Sequence, residues 1–297
     1  MQKNTAIKLD LSPQPTVAVV LGNQHLTSLA AVALFDFLDK HGIAIKAIIS
    51  CGGGSLASSM RGMGLSTAEM LDAIQRLTHV PHYNSLDYRT LFSMLPFQPF
   101  QFQTPASVFK PTQLQQAFHE IFGEKTTAEC SPKLYFQATN IYDATGVLLS
   151  EGKLKEVVYA STAAFPMHPP ICIDGQWLVN GSFSQALPLW NAVKAVNADI
   201  FIALNVEQFF GMHEPYPYFL TSFFDAVYAQ IEKPQHLVAI DQHHHAIVFI
   251  PMRIEKEISF HNLSKRGCKR IMSEATVKIN ERAEDIFEAF ITSRKKT

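Results

Sequence analysis

Apolar runs with strand spacing alternate with helical patterns along the first fifty residues of the chain. Residues 16–21 (TVAVVL) form a continuous apolar and β-branched run, which is typical of a buried strand. Residues 26–41 carry apolar side chains at helical spacing, and the following Gly42 is a residue type that commonly ends a helix. Residues 43–50 predict a second strand. Strand, helix and strand over so short a span predict a right-handed crossover between parallel strands.

The rest of the chain continues this mixture. Helices are predicted at residues 55–62, 67–78, 112–123, 153–161, 188–197 and 274–294, and strands at residues 133–140, 146–150, 199–206, 237–240 and 246–250, with two short strands inside 169–179. The sequence contains no internal repeat and no clear linker. We therefore predict an N-terminal extension (residues 1–15) and a single α/β domain (residues 16–297), with a mostly parallel sheet between helices.

Two segments rich in phenylalanine and proline interrupt the alternation, at residues 81–111 and 209–224. The first cannot be one long helix, because proline breaks helices. It either covers a pocket as a lid or packs on the surface, and the sequence favours neither.

Residues 45–57 (IKAIISCGGGSLA) combine the end of a strand, a glycine turn and the start of a helix. Gly52, Gly53 and Gly54 form the turn, and Ser55 is the predicted N-cap of the helix. This is the local geometry of a nucleophile elbow, in which the middle residue of G-x-S-x-G holds a serine above a sheet. Here the middle residue is Gly52, so the sequence predicts the scaffold of an elbow without its nucleophile.

Composition and charge narrow the classes of function. The chain has 25 basic and 26 acidic residues and a formal net charge of -1, so no overall field favours nucleic acid. Its four cysteines form no C-x-x-C pair, which is typical of a reducing compartment. We expect no secretory signal and no membrane-spanning segment, and therefore a cytoplasmic protein.

The order of these features resembles that of the patatin-like phospholipases, close to their bacterial neuropathy-target-esterase-type subgroup, over residues 16–289. In that family a G-G-G-x-R-G oxyanion loop follows the first strand, and G-x-S-x-G follows the second. An A-S-x-A-x-P stretch later precedes a D-G-(G/A) turn. Three stretches are close to the downstream pattern: 160–166 (ASTAAFP), 174–181 (DGQWLVNG) and 186–189 (ALPL). The resemblance implies a three-layer α/β/α sandwich and a lipid acyl hydrolase that uses a serine and an aspartate.

The chain departs from the family pattern at the positions that carry chemistry. The oxyanion glycines correspond to Asn23, Gln24 and His25, the nucleophile to Gly52 and the aspartate to Asn180. Gly52 has no nucleophilic atom, and the amide of Asn180 does not take up a proton at neutral pH. The resemblance therefore implies a hydrolase fold without the usual serine–aspartate activity.

Three functions remain open. The first is a catalytically silent protein that binds a fatty acid or phospholipid, with peripheral membrane contact, and in which the N–H groups of the glycine turn hold a carboxylate or phosphate. The second is an active hydrolase with a rearranged centre of Ser55 and His25. The third is an interaction partner of an active paralogue. The candidate ligand-binding residues are Asn23, Gln24, His25, Gly52, Gly53, Gly54, Asn180 and Gly181.

Other polar residues have simpler expected roles. Cys51 is expected to point away from Gly52 into the core, as a small buried hydrophobe. Asp174 is expected to serve in a turn. The three histidines at residues 243–245 are expected to form a surface run and not a metal site, because neighbouring side chains on a strand point in opposite directions. We expect no cofactor, metal ion or nucleic acid, and the oligomeric state is left open.

Overall fold

The structure is a computed structural model that describes residues 14–80, 85–88, 90, 107–208, 246–254, 260–261 and 263–294. Within these residues, eight strands form one sheet with helices packed against it. The predictions for residues 209–224, 237–240 and 243–245 lie outside the described residues, as does most of the segment 81–111.

The sheet is mostly parallel, as predicted. Its strands are β1 (Val17–Leu21), β2 (Ile45–Ser50), β3 (Lys133–Asn140), β4 (Gly146–Leu149), β5 (Ile171–Ile173), β6 (Gln176–Asn180), β7 (Ile200–Gln208) and β8 (Ala246–Ile254). They follow one another along the hydrogen-bonded path β5–β6–β3–β2–β1–β7–β8, and β4 pairs with β3. The pairs β1–β2, β1–β7, β2–β3 and β7–β8 are parallel, which confirms the predicted parallel arrangement of the first two strands. β4, β5 and β6 run antiparallel to their partners.

The helices of the described residues are α1 (Thr27–Lys40), α2 (Gly53–Gly62), α3 (Thr67–Thr78), α4 (Thr112–Phe122), α5 (Leu154–Thr162), α6 (Ser182–Gln185), α7 (Leu189–Ala195), α8 (Lys265–Glu281) and α9 (Ala283–Arg294), with a 3-10 turn at Thr127–Glu129. None of them is both long enough and apolar enough to cross a bilayer.

Two predicted helix starts are wrong for reasons of capping. α2 begins at Gly53, so Ser55 lies inside the helix and is not its N-cap. The predicted closing helix at residues 274–294 is two helices, and α8 begins earlier because the Ser264 side chain accepts the N–H of Gly267. The predicted start of α3 at residue 67 is confirmed, and the helix is capped by Ser66 in a capping box with Glu69.

Alternating side chains of the central strands divide the core between the two faces of the sheet. Val17, Val19 and Leu21 of β1 pack into the larger core with α1, whereas Ala18 and Val20 face a smaller core with α7. This alternation follows from the pleat of a strand. Helices therefore cover both faces, in agreement with the predicted α/β sandwich.

β3 brings the two ends of the candidate site together. Phe136 and Ala138 both pair with β4 along one edge of β3. Phe136 also pairs with Ser50 of β2, and Ala138 also pairs with Asn180 of β6. Because a strand residue has one neighbour on each edge, β2 and β6 share the second edge of β3 and run toward each other. Their ends are therefore two β3 residues apart, or about 7 Å.

Candidate functional site

Gly52 directly follows β2 and has the backbone of a nucleophile elbow. Its φ of +49° and ψ of -119° lie in a region that residues with side chains rarely adopt. A strained strand-to-helix turn of this kind presents the reactive residue in elbow enzymes. The N–H of Gly52 donates to the carbonyl oxygen of Ser161 at 3.2 Å, which fixes the turn against the end of α5. The turn therefore has the elbow geometry at a position that carries no side chain.

Asn23 occupies the space above Gly52. A Cβ atom built on Gly52 would lie 2.0 Å from Asn23 Oδ1 and 2.4 Å from the backbone carbonyl oxygen of Asn23. Such approaches are far inside van der Waals contact, so neither alanine nor serine fits unless the β1–α1 loop (residues 22–26) moves. Asn23 thus fills the space that a side chain at residue 52 would occupy.

The N–H groups of the glycine turn are bonded within the chain. Gly53 donates to the carbonyl oxygen of Asn23 at 2.7 Å, and Gly54 donates to that of Gly22 at 3.1 Å. The N–H of Gly52 is bonded to Ser161, as described above. These donors are therefore not available to a carboxylate or phosphate, contrary to the expectation from the sequence.

The β1–α1 loop lies directly on the first turn of α2. A Cβ atom on Gly53 would lie 2.1 Å from the carbonyl oxygen of Gln24 and 2.6 Å from the Cα of His25. A Cβ atom on Gly54 would lie 2.6 Å from that of Leu21. All three glycines of the turn are buried. The glycines are thus explained by the close approach of two backbones, and no ligand is needed to account for them.

Asn180 lies beside the elbow and is 8% exposed. Its Oδ1 accepts the N–H of Ser182 at 2.8 Å. The Cys51 thiol lies 3.7 Å from Asn180 Oδ1 and 3.9 Å from Asn23 Oδ1, within reach of weak S–H hydrogen bonds. Cys51 is buried, as expected, but its side chain lies between the two amides and does not point away from the site. The structure thus brings the positions of residues 23, 51 and 180 together.

Gly181 follows Asn180 and is held by the backbone of β3. A Cβ atom on Gly181 would lie 2.3 Å from the carbonyl oxygen of Gln137. Gly181 lies immediately before the short helix α6, at the junction of a strand and a helix.

Ser55 and His25 have different surroundings. The hydroxyl of Ser55 is buried and lies 2.8 Å from the Ser161 hydroxyl, which donates in turn to the Gln137 carbonyl oxygen at 2.8 Å. Ser55 therefore donates its proton to another hydroxyl and not to a base. The ring of His25 is exposed and packs against Phe260, with 5.2 Å between ring centroids. The hydrogen bond of the Ser55 hydroxyl is thus made to Ser161 and not to His25.

Sequence reasoning gave no role to Ser161 and Gln137, which connect the elbow to β3. Ser161 accepts from Gly52, and its hydroxyl joins Ser55 to Gln137. The A-S-x-A stretch was the signal that contained Ser161, but nothing local indicates what a buried hydroxyl contacts.

A small cavity lies beside the elbow, between α2, α3, α4 and the segment after α5. Its volume is about 30 Å³, and its walls are apolar apart from Thr162 and the imidazoles of His25, His168 and His261. This volume holds about two water molecules. It is too small for an acyl chain.

The described residues place no carboxylate and no lysine or arginine among the buried side chains. The largest fully buried side chain is Tyr159, whose hydroxyl donates to the carbonyl oxygen of Pro169 at 3.0 Å. Burial raises the pKa of Tyr159 well above its ordinary value, so the phenol stays neutral. No buried carboxylate in this part of the chain lies in the place of a catalytic aspartate, and His168, which lines the small cavity, is a buried imidazole.

Comparisons with known proteins identify relatives. The sequence model of the patatin-like phospholipases matches residues 25–193, more than half of the 297 residues. An uncharacterised NTE family protein of Mycobacterium bovis is 23% identical over 207 residues, which are 69% of this chain and 53% of that protein. An uncharacterised NTE family protein of Mycobacterium tuberculosis matches with the same values. The chain thus spans about half the length of these curated relatives.

Among solved structures, VipD from Legionella pneumophila is similar to this chain with a TM-score of 0.47 and 8% sequence identity. The similarity covers 90% of this chain and 66% of that one.

Proposed function

The chain belongs to the patatin-like phospholipase family, and we propose that it is a non-hydrolytic, lipid-associated member in which the β1–α1 loop has closed the elbow. The observation that carries this proposal is the position of Asn23, which meets any Cβ at Gly52 with both its side chain and its carbonyl oxygen. On this account the loss of activity is built into the packing of the loop and does not depend on a single missing hydroxyl.

The departures from the family pattern are large enough to abolish turnover. Removal of a nucleophile costs roughly a million-fold in kcat. The N–H that follows the nucleophile in an elbow is an oxyanion donor, and loss of one such donor costs roughly a hundred- to a thousand-fold. The corresponding group here is the N–H of Gly53, which donates to Asn23. Asn180 supplies no general base.

A rearranged centre of Ser55 and His25 receives no support from the contacts of Ser55. A nucleophilic serine needs a base as the acceptor of its proton. The hydroxyl of Ser55 is buried and hydrogen-bonded to Ser161, which in turn donates a hydrogen bond to the backbone carbonyl oxygen of Gln137. We therefore expect no turnover that depends on Ser55.

An acyl ligand held directly over Gly52 is also disfavoured, since it would have to displace Asn23. The neighbouring cavity of about 30 Å³ does not offer an alternative for a chain. Of the part of the chain that the structure describes, this leaves the exposed residues for lipid contact, and we propose that the contact takes place there and outside the elbow.

The test is hydrolysis of a short-chain nitrophenyl ester and of phosphatidylcholine vesicles by the purified chain. The expected result is a rate equal to that of buffer, unchanged in Ser55→Ala and Cys51→Ala. An active patatin-like hydrolase in the same assay is the positive control. A rate above that of buffer that falls in either variant would overturn the proposal.

A further inference from the structure

The first two turns of α8 carry a cluster of exposed cations, the basic patch, formed by Lys265, Arg266, Lys269 and Arg270. The buried stripe of α8 contains Cys268, Ile271 and Ala275. At 100° per residue, Arg266, Lys269 and Arg270 lie about 100–200° around the helix from Cys268, and Lys265 flanks the stripe at about 60°. The patch therefore faces away from the core.

Most of the basic patch has no acidic partner among the described residues. Arg270 forms an ion pair with Glu274 at 2.8 Å. No such pair is found for Lys265, Arg266 or Lys269 within the part of the chain that the structure describes. Further along the chain, Lys278 and Arg282 each have an acidic partner on α8 or α9. The excess of positive charge is thus confined to one end of α8.

The patch is unfavourable for the helix that carries it. The N-terminus of a helix has a partial positive charge, yet the first turn of α8 contains Lys265 and Arg266 and no acidic residue. Lys265 and Lys269 are four residues apart, as are Arg266 and Arg270, and like charges at this spacing repel. The described residues show no contact that offsets this local conflict, and such conflicts are typical of functional sites.

The start of α8, which carries the basic patch, lies beside the β1–α1 loop that packs on the elbow. The segment that leads into α8 contains Phe260 and His261, whose rings lie 5.2 and 5.9 Å from that of His25 in the β1–α1 loop. The carbonyl oxygen of Leu263 accepts the Thr78 hydroxyl at 3.4 Å. The start of α8 is thus fixed beside the loop that covers Gly52.

We propose that the basic patch binds the surface of an anionic phospholipid membrane. Four Lys and Arg residues on one face of a helix are a number and arrangement suited to anionic headgroups. Val277, two turns after Arg270 on the same face, is 54% exposed and gives this face an apolar side chain of the kind that enters a membrane interface. This inference deepens the lipid association of the proposed function and names its surface and its lipid class.

The observations favour a membrane over a nucleic acid or an acidic protein. The chain as a whole has a net charge of -1, so phosphate contacts would be few. The exposed face of α8 has no aromatic residue for stacking on a base. A single convex helix face offers no groove for an acidic peptide.

The test is co-sedimentation of the full chain with phosphatidylcholine vesicles that contain either no phosphatidylserine or about 30 mol % of this anionic lipid. The variant is Lys265→Gln/Arg266→Gln/Lys269→Gln. The matched control is Lys110→Gln/Lys125→Gln/Lys133→Gln, which removes three exposed cations elsewhere. A cation near an anionic surface contributes about fivefold in affinity, so we expect the first variant to lose about a hundredfold. We expect the control to stay within a few-fold of the natural chain.

The binding results either support membrane binding by the basic patch or overturn it. Binding that requires phosphatidylserine, weakens with salt and is lost in the α8 variant, with an unchanged or raised Tm, supports the proposal. No binding at low salt, or an equal loss in the control, would overturn it. Binding to an oligonucleotide that vesicles do not compete for would also overturn it. Hydrolysis plays no part in this measurement, so its outcome is independent of whether the elbow is silent.

Discussion

Replacing Gly52 by alanine measures how tightly Asn23 fills the elbow. The new Cβ would lie 2.0 Å from Asn23 Oδ1 and 2.4 Å from the Asn23 carbonyl oxygen, so the β1–α1 loop must shift. That shift disturbs the 2.7 Å hydrogen bond from the N–H of Gly53 to Asn23. Overpacking of a core costs about 1–3 kcal/mol and an unsatisfied buried donor about 1–3 kcal/mol. We expect Gly52→Ala to lose about 2–6 kcal/mol from contacts alone.

Gly123 provides a matched control for backbone strain. Its φ of +57° and ψ of -132° are close to the +49° and -119° of Gly52. A Cβ on Gly123 would meet no atom within 4 Å. Gly123→Ala therefore carries the conformational cost of a side chain in this region, about 1–3 kcal/mol, without the contact with Asn23. The difference between the two variants isolates the contact.

The assay is urea unfolding followed by circular dichroism, with Asn23→Gly added to form a double-mutant cycle. Asn23→Gly removes the Oδ1 contact but leaves the carbonyl oxygen, so we expect Gly52→Ala/Asn23→Gly to be about 1–2 kcal/mol more stable than the sum of the single changes. If Gly52→Ala costs no more than Gly123→Ala, or if the two changes are additive, the reasoning that Asn23 fills the elbow is refuted.

Three further predictions concern Gly52, Ser161 and Glu124. Gly52→Ser alone should give no ester hydrolysis and a stability loss at least as large as that of Gly52→Ala, because its side chain is larger; measurable turnover would contradict this. Ser161→Ala should lose about 1–3 kcal/mol in urea unfolding, because it leaves Ser55 without its buried acceptor, whereas Thr162→Ser, which keeps a hydroxyl for the carbonyl oxygen of Val158, should lose less than about 1 kcal/mol. The side-chain hydrogen bonds from Lys155 and then Lys153 lower the pKa of Glu124 to about 2, so its stabilising contribution is present above the ordinary 4.5 and is lost as the pH falls through about 2. An NMR titration should show this midpoint moving toward 4.5 in Lys155→Met, and an unchanged midpoint would contradict the assignment.

Much of the sheet could be predicted from the sequence because its signals are local. The continuous apolar run of β1, the helical spacing of α1 and the Asp174-Gly175 turn between β5 and β6 each lie within one short stretch. The positive φ of 49° at Asp174 confirms the expected turn. The elbow backbone at Gly52 was likewise indicated by neighbouring glycines.

The contents of the site could not be predicted because they depend on contacts between distant segments. Ser55 had the residue type of an N-cap, but α2 begins at Gly53, whose N–H is bonded to Asn23 across the turn. The predicted direction of the Cys51 side chain was wrong because that side chain contacts Asn180, whose position depends on how β6 shares an edge of β3. The filling of the elbow by Asn23 depends on a loop conformation, which no spacing rule contains.

The most direct test of the closed elbow is the intact mass of the purified chain after treatment with a fluorophosphonate that modifies the activated serines of hydrolases. We expect an unchanged mass under conditions that fully modify an active patatin-like hydrolase, because Gly52 carries no nucleophile and Ser55 is bonded to Ser161. A stoichiometric adduct on a serine or cysteine of the folded chain would contradict it.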